Sequence, residues 1–198
     1  MKRKNKVLEG FWSGMSSSKS TKPDVITNLR VPAGISITES QKIVTVKGKL
    51  GNISKDFTKL PANLSVEGDN LTIKPYGHRK KDLAIANTAK SIITNMIKGV
   101  NEGFEYKLKI IYAHFPIAVK VKDNLVLVEN FFGERSARIS RIHGGSTKVI
   151  VQGDDVVVSG PNLEEVSQTA ADIEASTKVK NKDRRVFLDG LYIYHKGK

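Results

Sequence analysis

Residues 63–73 read NLSVEGDNLTI and residues 148–158 read KVIVQGDDVVV. Each is a pair of alternating apolar runs around a glycine and an aspartate, Gly68 and Asp69 in one and Gly153 and Asp154 in the other. Alternation at a period of two puts apolar side chains on one face of a strand, and a Gly-Asp pair between two such runs makes a hairpin turn. The same hairpin twice, about 80 to 85 residues apart, is the signature of a duplication.

The match extends upstream. VPAGISI (31–37) aligns with FPIAVKV (115–121), Pro32 with Pro116 and Ile35 and Ile37 with Val119 and Val121, and each opens a strand. KIVTVKG and NLVLVEN follow as second strands, then Gly51 or Gly133 and a basic polar segment. Downstream of each hairpin the period changes to that of a helix. Ile85, Ala89, Ile92 and Met96 form one apolar stripe with Gly99 as its stop; Leu163, Val166, Ala170 and Ile173 form the other. The second helix has Asn162 as N-cap, with Glu165 completing a capping box after Pro161. The chain is therefore expected to be α+β: two tandem duplicated domains, each an antiparallel β-sheet covered by one α-helix, its other side left open. The join falls near residues 98–104, and LKIIYA (108–113) is a strand able to pair with either sheet.

Of the 198 residues, 39% are hydrophobic, enough for two cores but with no run of about eighteen apolar residues to span a membrane. The basic start, MKRKNKVLEGFWSGMSSSKS, has no apolar stretch behind it to make a signal peptide, so the chain is expected inside the cell. The absence of cysteine removes disulfides and thiol catalysis. The net charge of +13 points to a polyanion; the amphipathic basic helix or lipidation motif of a membrane binder is missing. Charge is also segregated: residues 1–22 carry +5, residues 23–148 +9, residues 149–177 −6 and residues 178–198 +5. An even solvating coat would not divide in this way.

Catalytic and metal chemistry find no support. His78, His114, His143 and His195 are widely separated, with no ligand spacing among them. Asp154 and Asp155 belong to a hairpin turn, and Glu164 and Glu165 to the first turn of a helix, where acids favour the dipole. No nucleophile elbow or Walker motif occurs. GKLG (48–51) has the form of a phosphate-clamping G-x-x-G loop, but the strand before it favours a β-turn or bulge. Three basic places remain. GHRKKD (77–82) leads into the first helix. GERSARISR (133–141) holds Arg135, Arg138 and Arg141, an all-arginine set suited to phosphate forks. The last, VKNKDRRVFLDGLYIYHKGK (179–198), combines Lys180, Lys182, Arg184 and Arg185 with VFLDGLYI, where Asp189 and Gly190 can make a two-residue hairpin turn. A basic arm on a small β element gives fixed charges, as shape-directed RNA binding requires.

YAHFPI (112–117), VSQTAADI (166–173) and above all NKDRRVFLDGLYIYHKG (181–197) resemble the archaeal and eukaryotic type of the large-subunit ribosomal protein six family, protein nine in eukaryotes, from about Val31 onward. Their wording is eukaryotic rather than bacterial. The resemblance implies duplicated α+β domains and no enzymatic activity, cofactor, membrane or small-molecule substrate. It implies a structural constituent of the cytosolic large ribosomal subunit, assembled in the nucleus if eukaryotic. Its partners would be large-subunit ribosomal RNA near the sarcin-ricin loop and the factor-binding stalk base, and neighbouring ribosomal proteins, with translational GTPases docking nearby. Carried over by motif, Lys180, Asn181, Lys182, Arg184, Arg185, Phe187, Asp189, Gly190, Tyr192 and Lys196 fall in the RNA-facing terminal signature, Phe187 with packing as its other role. An assembly factor or other RNA-binding protein outside the ribosome is the alternative.

The chain then divides into a basic extension (1–30), a first repeat (31–103), a second repeat (104–180) and a terminal RNA-binding segment (181–198). The extension departs from the family. Its charge and its SSSKS run predict disorder when free, while Phe11 and Trp12 could dock into RNA or a neighbouring protein, or the true start could be Met15.

Overall fold

The computed structural model describes residues 27–197 except 33, 69, 78 and 184. The expected extension, with Phe11 and Trp12, therefore lies outside the described residues up to residue 26, and so does Arg184. The first repeat runs β1 (Thr27–Arg30), β2 (Ser36–Ser40), β3 (Ile43–Gly48), β4 (Gly51–Asp56), β5 (Ala62–Glu67), β6 (Asn70–Pro75) and α1 (Lys80–Asn101). The second runs β7 (Phe104–Ile111), β8 (Ala118–Lys122), β9 (Leu125–Glu129), a 3-10 turn (Phe131–Gly133), β10 (Arg138–Arg141), β11 (Lys148–Gln152), β12 (Asp155–Gly160), α2 (Leu163–Ser176) and finally β13 (Gly190–Gly197).

The two repeats are wired alike, and both are α+β. β2-β3-β4 corresponds to β8-β9-β10, and β1-β6-β5 to β7-β12-β11, with every pairing antiparallel. Both hairpins form, β5 with β6 and β11 with β12, although Asp69 of the first turn lies outside the described residues. Gly68 and Gly153 both take left-handed φ near +60°, a conformation without steric cost for glycine. Each helix covers two sheets rather than one. Val44, Val46 and Ile53 of one sheet and Leu71 and Ile73 of the other meet α1 in a single core. Val126 and Val128 join Leu108, Val156 and Val158 beneath α2. The extra strands β4 and β10 escape a periodicity reading because they are polar. β10 buries only Ser140, and β4 only Ile53, so neither shows the alternation of a strand with an apolar face.

Three expectations change. β1 begins at Thr27, so the last residues assigned to the extension pair with β6 and belong to the sheet. The buried stripe of α1 is Ala86, Ala89, Ile93, Met96, Ile97 and Val100, rotated slightly from the expected one. Gly99 does not stop this helix; it is buried, and a Cβ there would come within 1.9 Å of the Pro161 carbonyl oxygen and 2.9 Å of the Phe104 ring. Glycine at this point lets α1 press against the elbow that opens α2, and Gly103, at φ +80°, follows the helix end. Across the same join Lys55 and Glu164 form an ion pair.

GKLG joins β3 to β4 as a hairpin, with Gly48 opposite Gly51. LKIIYA contributes to β7, which pairs with β12 and β13 in the second repeat. α2 starts at Asn162, whose side-chain oxygen accepts the Glu164 N–H at 3.1 Å. Glu165 does not return to close a capping box. Its carboxylate lies over Gly144 instead. α1 is capped from inside instead, by the Asp82 carboxylate accepting the Arg79 N–H at 3.0 Å.

Candidate nucleic-acid interface

The basic terminal segment is a seated arm between α2 and β13. It leaves α2 extended, with Thr177 and Val179 buried while Lys178 and Lys180 point to solvent. Asn181 then takes a left-handed φ of 57°, which its short amide tolerates. Asp183 nucleates the next turn. Its carboxylate accepts the Arg185 N–H at 2.9 Å, and its carbonyl accepts the N–H groups of Val186 and Phe187. Lys182 and Arg185 stay exposed around this turn.

The expected hairpin at Asp189 and Gly190 does not form. Val186 to Leu188 make no strand, and β13 pairs with β7 instead, Gly190 opposite Ile111 and Leu191 opposite Ile110. The long-range ladder wins because it buries Leu191, 1% exposed, on the same sheet as Leu108 and Ile110. The outer edge of β13 is satisfied by the end of α2. Leu191 N–H donates to the Thr177 hydroxyl at 3.0 Å and Ile193 N–H to the Glu174 carboxylate at 3.3 Å. The terminal segment is thus part of the second repeat's sheet rather than an appended tail.

Asp189 and Gly190 are both buried, so the signature does not expose them for direct contact. The Asp189 carboxylate accepts the Ala113 N–H at 2.8 Å, and its other oxygen, also buried, faces Nδ1 of His114 at 3.7 Å. Phe187 is half-buried in an aromatic cluster, 5.4 Å from the His114 ring and 5.9 Å from Phe132. Phe132 in turn meets Phe131 edge-on at 4.5 Å. The Lys182 ammonium sits over Phe187 at 4.8 Å, held by the ring's negative face. Lys180, Asn181, Tyr192 and Lys196 are exposed.

The arginine set divides. Arg138 is spent internally: it forks onto Glu134 at 2.9 and 2.6 Å, donates to the Ser176 carbonyl at 2.8 Å and lies 4.2 Å over Phe131. With three of its five N–H donors used in this way and its side chain largely covered, the guanidinium is a poorer phosphate fork than an unengaged arginine. Its hydrogen bonds hold the Glu134 carboxyl below its ordinary pKa. Arg135 and Arg141 remain exposed, without a hydrogen bond or ion pair to any described residue. Through Phe131, Phe132 and Phe187, the 131–138 segment and the terminal arm become one surface. Phe131, Phe132 and Lys178 were not singled out by sequence, and His114 was weighed only as a metal ligand. The adjacent phenylalanines of NFFG, coming straight after a strand, were the available signal.

The remaining polar groups stay local. Lys107 pairs with Glu105 at 3.0 Å, which raises the lysine pKa through that hydrogen bond, and Lys109 pairs with Asp155 at 3.3 Å. His143 meets Asp172 at 2.7 Å beside α2. Arg79, Lys80 and Lys81 lie at the start of α1, in the first repeat. Among the described residues no three imidazoles or carboxylates converge on a possible metal position, and no helix is long and apolar enough to cross a membrane.

A family model described as Ribosomal protein L6 matches residues 31–103 and 115–190. Among curated relatives, "Large ribosomal subunit protein uL6" of Methanobrevibacter smithii is 43% identical over 168 residues, covering 85% of this chain and 94% of the relative. Proteins of the same description from Staphylothermus marinus, at 43% over 178 residues, and Methanosphaera stadtmanae, at 44% over 173 residues, cover 88% and 87% of this chain and 96% and 94% of their own lengths.

Proposed function

The chain belongs to the ribosomal protein L6 family, and from that premise we infer that it is a non-enzymatic constituent of the large ribosomal subunit in the cytoplasm, with ribosomal RNA and other ribosomal proteins as partners. We assign RNA contact to the second repeat, through Lys180, Lys182, Arg185 and Lys196 on the arm and β13 and through Arg135 and Arg141 beside the aromatic cluster, with Asn181, Tyr192 and Arg184 in the same signature. The RNA is that around the sarcin-ricin loop and the base of the factor-binding stalk, where translational GTPases dock nearby. The functional division is a first repeat over 31–103, a second over 104–180 and a binding segment over 181–198.

The observation carrying this reading is the fixed geometry of the arm: its cations are exposed while Val179, Phe187, Asp189 and Leu191 tie its backbone to the domain. Cations already held in place lose little entropy when they meet phosphates, and neutralising each phosphate releases counterions. In a sucrose gradient of extract from cells carrying a tagged copy, the unaltered chain is expected in the large-subunit peak. Changing Lys180, Lys182 and Arg185 together to Ala is expected to move it toward the top. An unaltered chain that stays at the top overturns the reading; crosslinks from Lys182 that avoid the sarcin-ricin region overturn only the location.

A further inference from the structure

Two residues of the terminal signature are engaged with the rest of the domain, Asp189 fully buried and Phe187 half-buried. Asp189 is 1% exposed, and one of its oxygens accepts the main-chain N–H of Ala113, a residue 76 positions away in sequence. Phe187 is wedged between the ring of His114, which belongs to the same β7–β8 loop, and the ring of Phe132, which precedes β10. Between these anchors and Lys182, Asp183 accepts the N–H groups of Arg185, Val186 and Phe187. Asp189 is buried, and the half-buried Phe187 ring carries no charge to offer a phosphate.

Resting on the RNA-binding reading above, we propose that Asp189 and Phe187 are positioning residues: they pin the arm to the β7–β8 loop and so set where its cations meet the RNA. The pin supplies geometry and the cations supply charge, and salt dependence separates the two. The slope of log affinity against log salt counts neutralised phosphates, at about 0.9 per contact for duplex and about 0.7 for single strands. Loss of a cation lowers that slope. Loss of a pin leaves the count unchanged but makes each contact costlier, because the arm must be ordered on binding.

The test is a filter-binding titration of the full chain against protein-free large-subunit ribosomal RNA transcribed in vitro, over a range of potassium chloride. Lys180→Ala and Arg185→Ala are expected to flatten the slope by about one contact each. Asp189→Ala and Phe187→Leu are expected to bind about tenfold more weakly at every salt concentration with the wild-type slope, the scale of a lost buried hydrogen bond or ring contact. Asp189→Asn keeps an acceptor for Ala113 and is expected to recover most of the affinity. If Asp189→Ala fails to fold, Phe187→Leu and Asp189→Asn carry the comparison, with hydrogen exchange at the Ala113 amide reporting whether the pin is made. A pin variant that flattens the slope like Lys180→Ala, or that binds as the unaltered chain does, overturns the proposal and leaves the RNA reading standing. No salt-dependent binding by the unaltered chain overturns both.

Discussion

The two repeats share one wiring diagram and differ in what sits beside one strand. Among the described residues β1 is an edge of a three-stranded sheet in the first; in the second, its counterpart β7 is interior, because β13 adds a fourth strand on its far side. That strand brings the basic arm with it. Duplication therefore supplied two equivalent scaffolds, and the asymmetry between them came from chain added after the second helix. The acids of α2 fit the same division. Glu174 serves the edge of β13 and Asp172 pairs with His143, so part of the negative charge is used within the domain.

The comparison can be broken most forcefully at Leu191. Its side chain fills the second core from the added strand, so Leu191→Ala is expected to cost about 2–5 kcal/mol. The loss should appear in hydrogen exchange at Leu108 and Val156, with amides of Val44 and Val46 in the first repeat much less affected. Equal loss in both repeats would mean that β13 is not what distinguishes the second.

Gly99 tests whether the repeats are packed against each other or merely joined in sequence. In an isolated helix Gly→Ala stabilises by about 1 kcal/mol. Here the new Cβ meets the Pro161 carbonyl at 1.9 Å, so the sign is expected to reverse, with a net cost of about 1–3 kcal/mol from overpacking. A higher melting temperature for Gly99→Ala would show that α1 does not bear on the α2 elbow.

The smallest effect sharpens the role of Arg138. The folded carboxyl of Glu134 titrates below its ordinary value near 4.5, chiefly through its hydrogen bonds to Arg138. Its contribution is present above that ordinary value and lost as pH falls through the lower, folded pKa. A modest decline in stability of the second repeat is expected over that acid window, reduced in Glu134→Gln. Because the pair is partly exposed, the effect stays small. An identical acid response in Glu134→Gln would remove the clasp from the account.

Much of this was legible in the chain itself. The Gly-Asp hairpins, the two helical stripes and the Asn162 cap are local matters, decided by side chains a few positions apart, and they formed nearly as their periodicity implied. The concentration of positive charge after an acidic helix was equally plain. The misreadings share one cause. That Val186 to Leu188 would fold back on Leu191 was a fair local inference, but the strand found a better partner in β7, almost eighty residues away. Arg138 looked like a phosphate fork until its partners across the fold, the Ser176 carbonyl and the face of Phe131, were in view, although Glu134 four residues earlier was a usable hint.

The sequence by itself determined the repeated scaffold, the sign and placement of its charge, and the family signature at its end, because these rest on periodicity, composition and neighbouring residues. Only the tertiary structure decided which signature residues face outward. Burial of Asp189 against Ala113, the seat of Phe187 between His114 and Phe132, and the contact of Gly99 with Pro161 are each made by groups distant in sequence. Such contacts leave no periodic trace in the chain, and they exist only once the sheets and helices have packed.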